Sequence, residues 1–209
     1  MQAVDDRQQD IPRALTGMLV PALVTLLVQF FNLPMELEYR RPLLSSEPWR
    51  LFTGHFVHLS WLHAVLNCVA LLILERLFEG RLRRAELWLM LAASPVLISA
   101  ALWIALPDLE WYRGLSATLH AIFFAGCIAW IAAARHGRWL PVAALAGGAI
   151  KVLLEQPWDA SLPFREWLGA AVVPQAHLAG ALCGVAAGCF FAVARRGTTA
   201  PTEARDRRN

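Results

Sequence analysis

The stretch WYRGLSATLHAIFFAGCIAWIAAARHGR, residues 111–138, combines a serine and a histidine with a long apolar run. Its middle part, residues 115–134, is mostly apolar and is bounded on both sides by arginines. About 20 such residues are enough for a helix to cross the hydrocarbon core of a bilayer. The stretch therefore predicts a membrane-spanning helix with Ser116 and His120 close to its start.

The composition of the whole chain agrees with a membrane protein. Of its 209 residues, 57% are hydrophobic and 17% are charged, whereas about a quarter of the residues of a soluble domain are charged. Mean hydropathy is +0.47. The net charge of +3 is small and the basic residues are scattered, so nucleic acid is not an expected partner. The four cysteines lie in apolar runs without a CxxC pair, which argues against a disulfide framework or a zinc knuckle.

Apolar runs of spanning length recur along the chain and are separated by polar joints rich in turn-forming residues. They lie near residues 14–31, 60–79, 85–106, 115–134, 139–156 and 174–194. We therefore expect an all-α integral membrane protein, a bundle of six transmembrane helices. No repeat of fixed period is visible, which disfavours a transporter built from internal repeats.

The distribution of Lys and Arg predicts the orientation of the bundle. Most of them lie at the termini and in the joints after the second and fourth runs, and such an excess marks the cytoplasmic side. We expect a multi-pass protein of the bacterial inner membrane with both termini in the cytoplasm. The expected parts are a cytoplasmic segment 1–13, a membrane domain 14–194 and a mobile cytoplasmic tail 195–209.

Polar side chains on three of these predicted helices are expected at one depth, near the outer face. His63 and Asn67 lie one turn apart in the second run, Ser116 begins the fourth, and His177 lies about a turn into the sixth. Polar groups inside a bilayer are costly and usually face the bundle interior at functional sites. The set consists of a serine, a histidine suited to act as its base, and hydrogen-bond donors suited to an oxyanion.

A ridge of small residues follows His177. Gly180, Gly184 and Gly188 recur at every fourth position, a spacing that lets a neighbouring helix approach at backbone distance. We expect this ridge to bring the sixth helix against the fourth, with Gly126 serving the same contact from the other side.

Three segments in this order resemble the rhomboid intramembrane serine proteases, and most closely the rhombosortase branch. They are EPWRLFTGHFVHLSWLHAVLN from residue 47, GLSATLH from residue 114 and AHLAGALCGVAAG from residue 176. The family commonly has GxSG, whereas Ala117 follows the serine here. The resemblance covers more than half of the chain.

The resemblance implies roles for individual residues. Ser116 would be the nucleophile and His177 its general base, a dyad without an acid. His63, Asn67 and the backbone amide of Ser116 would form the oxyanion hole. Structural support would come from the motif and ridge glycines and from a Trp-Arg pair in the first loop: Gly114, Gly180, Gly184, Trp49 and Arg50. No cofactor or metal is expected.

The resemblance also implies the substrates. They would be transmembrane protein segments with a glycine-rich anchor in the lipid bilayer, such as the C-terminal Gly-Gly sorting tails of exported proteins. Such segments suit a protease in a membrane, because the scissile carbonyl of an intact helix is already hydrogen-bonded.

Several alternatives remain open at this point. Ser116 suits a helix cap, and His120, one turn after Ser116, is a rival base. A metal site is another alternative, formed by His55, His58 and His63, although no carboxylate accompanies them. Lys151 and Glu155 have the spacing of a structural ion pair. The alternative for the whole chain is a catalytically silent rhomboid-like protein that binds transmembrane segments.

Overall fold

A computed structural model of the chain describes residues 16–134, 136–156 and 173–197. The helices are α1 (Thr16–Phe30), α2 (Pro34–Leu37), α3 (Arg50–Thr53), α4 (Trp61–Leu77), α5 (Arg84–Ala105), α6 (Ser116–Ala133), α7 (Trp139–Leu154) and α8 (Pro174–Gly197). The strands β1 (Tyr39–Arg40) and β2 (Trp111–Tyr112) pair antiparallel, and 3-10 turns cover Arg41–Leu43 and Gly54–Phe56. The predicted segment 1–13 lies outside the described residues, as does the predicted tail beyond the end of α8.

Each of the six predicted apolar runs coincides with one of these helices, but they differ in how well they suit a membrane crossing. By length and apolar character, α5, α6 and α8 qualify, and Arg50–Phe56 with α4 qualifies as a pair bent by 95°. The apolar helices α1 and α7 are shorter, with 15 and 16 residues. The chain is thus a helical integral membrane protein with three or four qualifying spans among its described residues, and the count of six remains a prediction.

Local hydrogen bonds from side chains stabilise the starts of α4 and α5. The hydroxyl of Ser60 accepts from the amide of His63, 3.2 Å away, and caps α4. The carboxylate of Glu86 accepts from the amide of Arg83 at 2.8 Å and closes the first turn of α5. These contacts satisfy amides that the helices themselves leave without an acceptor. The Ser60 cap fixes the start of α4, the helix that carries His63 and Asn67.

Helix α6 packs against α4, α5, α7 and α8, and most of its residues are buried. Its contact with α8 is made at backbone distance, as the glycine ridge predicts. A Cβ added at Gly180 would lie 2.1 Å from the carbonyl oxygen of Ala117, and one at Gly184 would lie 2.3 Å from that of Ala121. The two helices therefore approach so closely because the ridge has no side chains.

The expectation that Gly126 serves this same contact is wrong. A Cβ at Gly126 would lie 2.4 Å from the ring of Phe78, just after α4. Gly126 thus faces α4, because its position on the helix is rotated away from the residues that meet α8. The space it leaves is filled by an aromatic ring.

The segment between α1 and α4, the first loop, is fixed over the start of α6 by polar contacts. Arg50 is buried and donates to the carbonyls of Glu38 at 3.0 Å and Met35 at 2.9 Å, and it pairs with Glu47. The pairing of Tyr39 with Tyr112 joins the loop to the segment before α6. The indole of Trp49, which is half exposed, lies 3.4 Å from the carbonyl of Glu36.

Candidate active site

Ser116 is the first residue of α6, and the turn before it has a backbone conformation that suits glycine. Gly114 has φ of 127°, a region that L-residues rarely adopt. Its amide donates to the carbonyl of Gly54 at 3.1 Å, and its carbonyl accepts from the hydroxyl of Tyr112 at 2.7 Å. Burial raises the pKa of Tyr112, so its hydroxyl remains a donor. The turn that presents Ser116 is therefore held from both sides.

The hydroxyl of Ser116 lies 2.9 Å from Nε2 of His177. His177 stands in the first turn of α8, is 7% exposed, and directly precedes the glycine ridge. The close packing of α8 on α6 below this level sets the distance between the two side chains. The structure thus brings together the two residues that the sequence predicts as nucleophile and base.

The other ring nitrogen of His177 has a partner that the sequence analysis did not assign. Nδ1 lies 2.9 Å from Oε2 of Glu155, which directly follows α7. Glu155 also pairs with Lys151 at 2.9 Å, as their spacing predicts. The sequence indicates this position only in part, because the predicted fifth run ends on the side of the bundle where the fourth and sixth runs begin.

His120 has its own partners and does not contact the hydroxyl of Ser116 in this arrangement. Its Nδ1 lies 2.7 Å from the carbonyl oxygen of Ser116, and its Nε2 lies 2.8 Å from Nζ of Lys151. The rings of His120 and His177 stack with centroids 4.4 Å apart at 17°. These contacts place His120 beside His177 and not against the hydroxyl of Ser116.

His63 lies beside the turn that presents Ser116. The point that a Cβ of Gly114 would occupy is 3.4 Å from Nε2 of His63 and 3.9 Å from Oγ of Ser116. A side chain at Gly114 would therefore fill the space between the imidazole and the hydroxyl. Asn67 is buried one turn deeper on the same helix.

Among the residues that the structure describes, Nδ2 of Asn67 and Nδ1 of His63 have no hydrogen-bond partner, although both atoms are buried. Buried polar atoms without a partner are uncommon, and each is a candidate for receiving a ligand. An amide Nδ2 is a donor. Nδ2 of Asn67 is therefore a buried donor without an acceptor among the described residues.

The histidines of the first loop serve to anchor it. His55 is fully buried, and its ring nitrogens contact the hydroxyls of Ser99 at 3.2 Å and Thr118 at 3.1 Å. Nε2 of His58 accepts from the amide of Leu115 at 3.3 Å. These bonds join the loop to α5 and to the start of α6, and they occupy both ring nitrogens of His55 and one of His58.

A different set of potential metal ligands lies at the site itself. Ligand atoms of His120, Glu155 and His177 lie within 4.8 Å of one another. However, the ammonium of Lys151 contacts two of these three residues. A cation beside a cation is unfavourable, so the arrangement suits a chain of hydrogen bonds better than it suits a metal ion.

Fold and site together define a helical membrane protein that holds a serine and a histidine in hydrogen-bonding contact at adjoining helix starts. The family model described as Rhomboid domain matches residues 45–194. The chain belongs to the rhomboid family, whose members are generally intramembrane serine proteases. A search for curated relatives finds no match to this chain.

Proposed function

We propose that this chain is an intramembrane serine endopeptidase that uses Ser116 as nucleophile and His177 as general base. The observation that carries the proposal is the 2.9 Å contact between Oγ of Ser116 and Nε2 of His177. An unassisted serine hydroxyl is a weak nucleophile, and an imidazole in hydrogen-bonding contact activates it. Membership of the rhomboid family supports the same assignment.

The reaction follows from the two atoms in contact. As Oγ of Ser116 bonds to the scissile carbonyl carbon, its proton passes to Nε2 of His177. The C–N bond then breaks, and His177 returns that proton to the leaving amine. Water, deprotonated by His177, attacks the acyl-enzyme and releases Ser116.

The oxyanion formed in each step needs donors that are already in place. Nδ2 of Asn67 is buried without a partner among the described residues, and His63 lies beside the Ser116 turn. The amide of Ser116 lies in the first turn of α6, where a helix supplies no acceptor of its own. We assign these three groups to the oxyanion hole, with each donor contributing on the order of 3 kcal/mol.

The proposed substrates are membrane-anchored or exported proteins cut near the outer face. The three site helices contribute their residues near helix starts, and the distribution of Lys and Arg assigns these ends to the outer side. A glycine-rich segment unwinds readily there and exposes its carbonyls. We propose Gly-Gly sorting tails as the substrates, in keeping with the resemblance to the rhombosortase branch.

Cleavage of a reporter with a glycine-rich C-terminal anchor in liposomes tests the proposal. Wild type should cleave it, and Ser116→Ala and His177→Ala should each lose a thousandfold or more, roughly. His120→Ala should retain more activity than either, because its nitrogens contact Lys151 and a carbonyl. Failure of wild type to cleave any of several anchors would overturn the proposal in favour of a silent protein that binds transmembrane segments.

A further inference from the structure

We infer that Glu155 is a positioning residue that completes a Ser116–His177–Glu155 triad and fixes the tautomer of the catalytic histidine. This inference rests on the proposed function. The motifs that resemble the rhomboid family imply a dyad without an acid. Glu155 would add a third member from the end of α7, which carries none of these motifs.

The contacts define the tautomer of His177. A carboxylate accepts hydrogen bonds and donates none, so the 2.9 Å contact with Oε2 of Glu155 requires the proton of neutral His177 on Nδ1. Nε2 is then left as an acceptor, directed at the hydroxyl of Ser116 2.9 Å away. This is the tautomer that a general base needs. When His177 takes the serine proton, the carboxylate also stabilises the resulting imidazolium.

Lys151 keeps Glu155 in the ionised form and extends the chain of contacts. Its ammonium lies 2.9 Å from Oε1 of Glu155 and 2.8 Å from Nε2 of His120. An ammonium only donates, so the proton of His120 lies on Nδ1, where it reaches the carbonyl of Ser116. These contacts therefore form a closed ring through α6, α7 and α8. Within this ring, the proton of each neutral imidazole lies on Nδ1.

The end of α7 is held in the position that this role requires. Gln156 is 2% exposed and donates to the carbonyl of Pro174 at 3.1 Å, which ties the end of α7 to the first residue of α8. Gly148 lets α7 approach α6, because a Cβ there would lie 2.6 Å from the ring of Phe123. The carboxylate is thus fixed from both neighbouring helices.

Kinetics of Glu155 variants test the role. In Glu155→Gln the side-chain amide can donate to Nδ1, which moves the imidazole proton to Nε2, the wrong tautomer for a base. We expect kcat to fall roughly 10- to 100-fold with KM within about twofold. This fall in kcat is smaller than the fall expected for a fully buried triad carboxylate. The reason is that Glu155 is 33% exposed and also forms an ion pair with Lys151. Glu155→Asp, which keeps the carboxylate, should recover part of the loss.

The control is Glu79→Gln. Glu79 forms an exposed ion pair with Arg76 at 3.1 Å, beyond the opposite end of α4 from His63. Removing its charge should leave kcat and KM unchanged. The control therefore distinguishes the effect of removing the carboxylate beside His177 from the effect of removing an ion-paired carboxylate elsewhere.

A measurement independent of turnover completes the test. The ¹⁵N NMR signals of His177, assigned by their loss in His177→Ala, should report a protonated Nδ1 in wild type and a shift of the proton toward Nε2 in Glu155→Gln. If wild type cleaves and Glu155→Gln keeps wild-type kcat, the inference fails and the proposed function stands. Loss of activity with lower thermal stability and unchanged His177 signals makes Glu155 structural, which also overturns the inference.

The same measurement separates failure of the proposed function. A wild-type protein that cleaves no reporter, but whose His177 proton moves in Glu155→Gln, refutes the protease while retaining the positioning contact. A protein with neither property refutes both.

Discussion

At the scale of the residue, the hydroxyl of Ser116 has three distinct surroundings. One is the imidazole of His177 at 2.9 Å, and the second is the side of Gly114 that has no Cβ, where the ring of His63 lies. The third is the first turn of α6, which begins at Ser116. Separate elements supply these three surroundings, so variants can change one without the others.

Asn67→Ala should slow turnover without destabilising the fold. Its Nδ2 has no partner among the described residues, so truncation removes no folded-state hydrogen bond from that atom, whereas loss of an oxyanion donor costs about 10²–10³ in kcat. Reporter cleavage and thermal unfolding, measured on the same preparation, check this. The neighbouring Cys68, whose thiol contacts the carbonyl of Ala22 in α1, provides the control Cys68→Ala, which should keep wild-type turnover. Equal losses of activity and thermal stability in Asn67→Ala would assign Asn67 a structural role.

At the scale of the element, the contact between α6 and α8 sets the distance between Ser116 and His177. The ridge on α8 meets the backbone of α6 directly, and Ser116 and His177 lie at the N-terminal end of that contact. Small changes in helix separation should therefore appear as changes in the chemistry at Ser116.

Gly184→Ala should lower both thermal stability and kcat. The added Cβ would lie 2.3 Å from the carbonyl of Ala121, so the helices must separate, and such overpacking costs about 1–3 kcal/mol. Gly147→Ala is the matched control, because Gly147 also lies inside a helix but has nothing within 4 Å of its added Cβ. It should be neutral or slightly stabilising. Wild-type kcat in a stably folded Gly184→Ala protein would contradict the link between this packing and the site.

At the scale of the whole molecule, the sequence predicts the helices well. In a bilayer, an apolar run between polar joints satisfies its backbone hydrogen bonds by forming a helix. It also predicts the meeting of Ser116 with His177, since both stand at helix starts of the same direction. It does not predict the contact of Glu155 with His177, which depends on the rotation and tilt of α7. The predicted partner of Gly126 was wrong for the same reason. Spacing along one helix does not tell which neighbouring helix packs on a given face of it.

The orientation of the bundle gives a prediction at this scale. In a protein without its native cysteines, Ser45→Cys in the first loop should react with a membrane-impermeant maleimide in intact cells. His136→Cys, in the joint between α6 and α7, should react only after permeabilisation. Both positions are exposed, so access depends on the side of the membrane. The reverse pattern would contradict the cytoplasmic placement of the termini and the outer placement of the site.

Covalent labelling with a serine-directed isocoumarin or phosphonate, read by intact mass and peptide mapping, tests most directly whether His177 activates Ser116. We expect one adduct on Ser116 in wild type, none in Ser116→Ala and a rate at least about a hundredfold lower in His177→Ala. Absence of an adduct in wild type, or labelling of His177→Ala at the wild-type rate, would contradict the claim that these two residues act together.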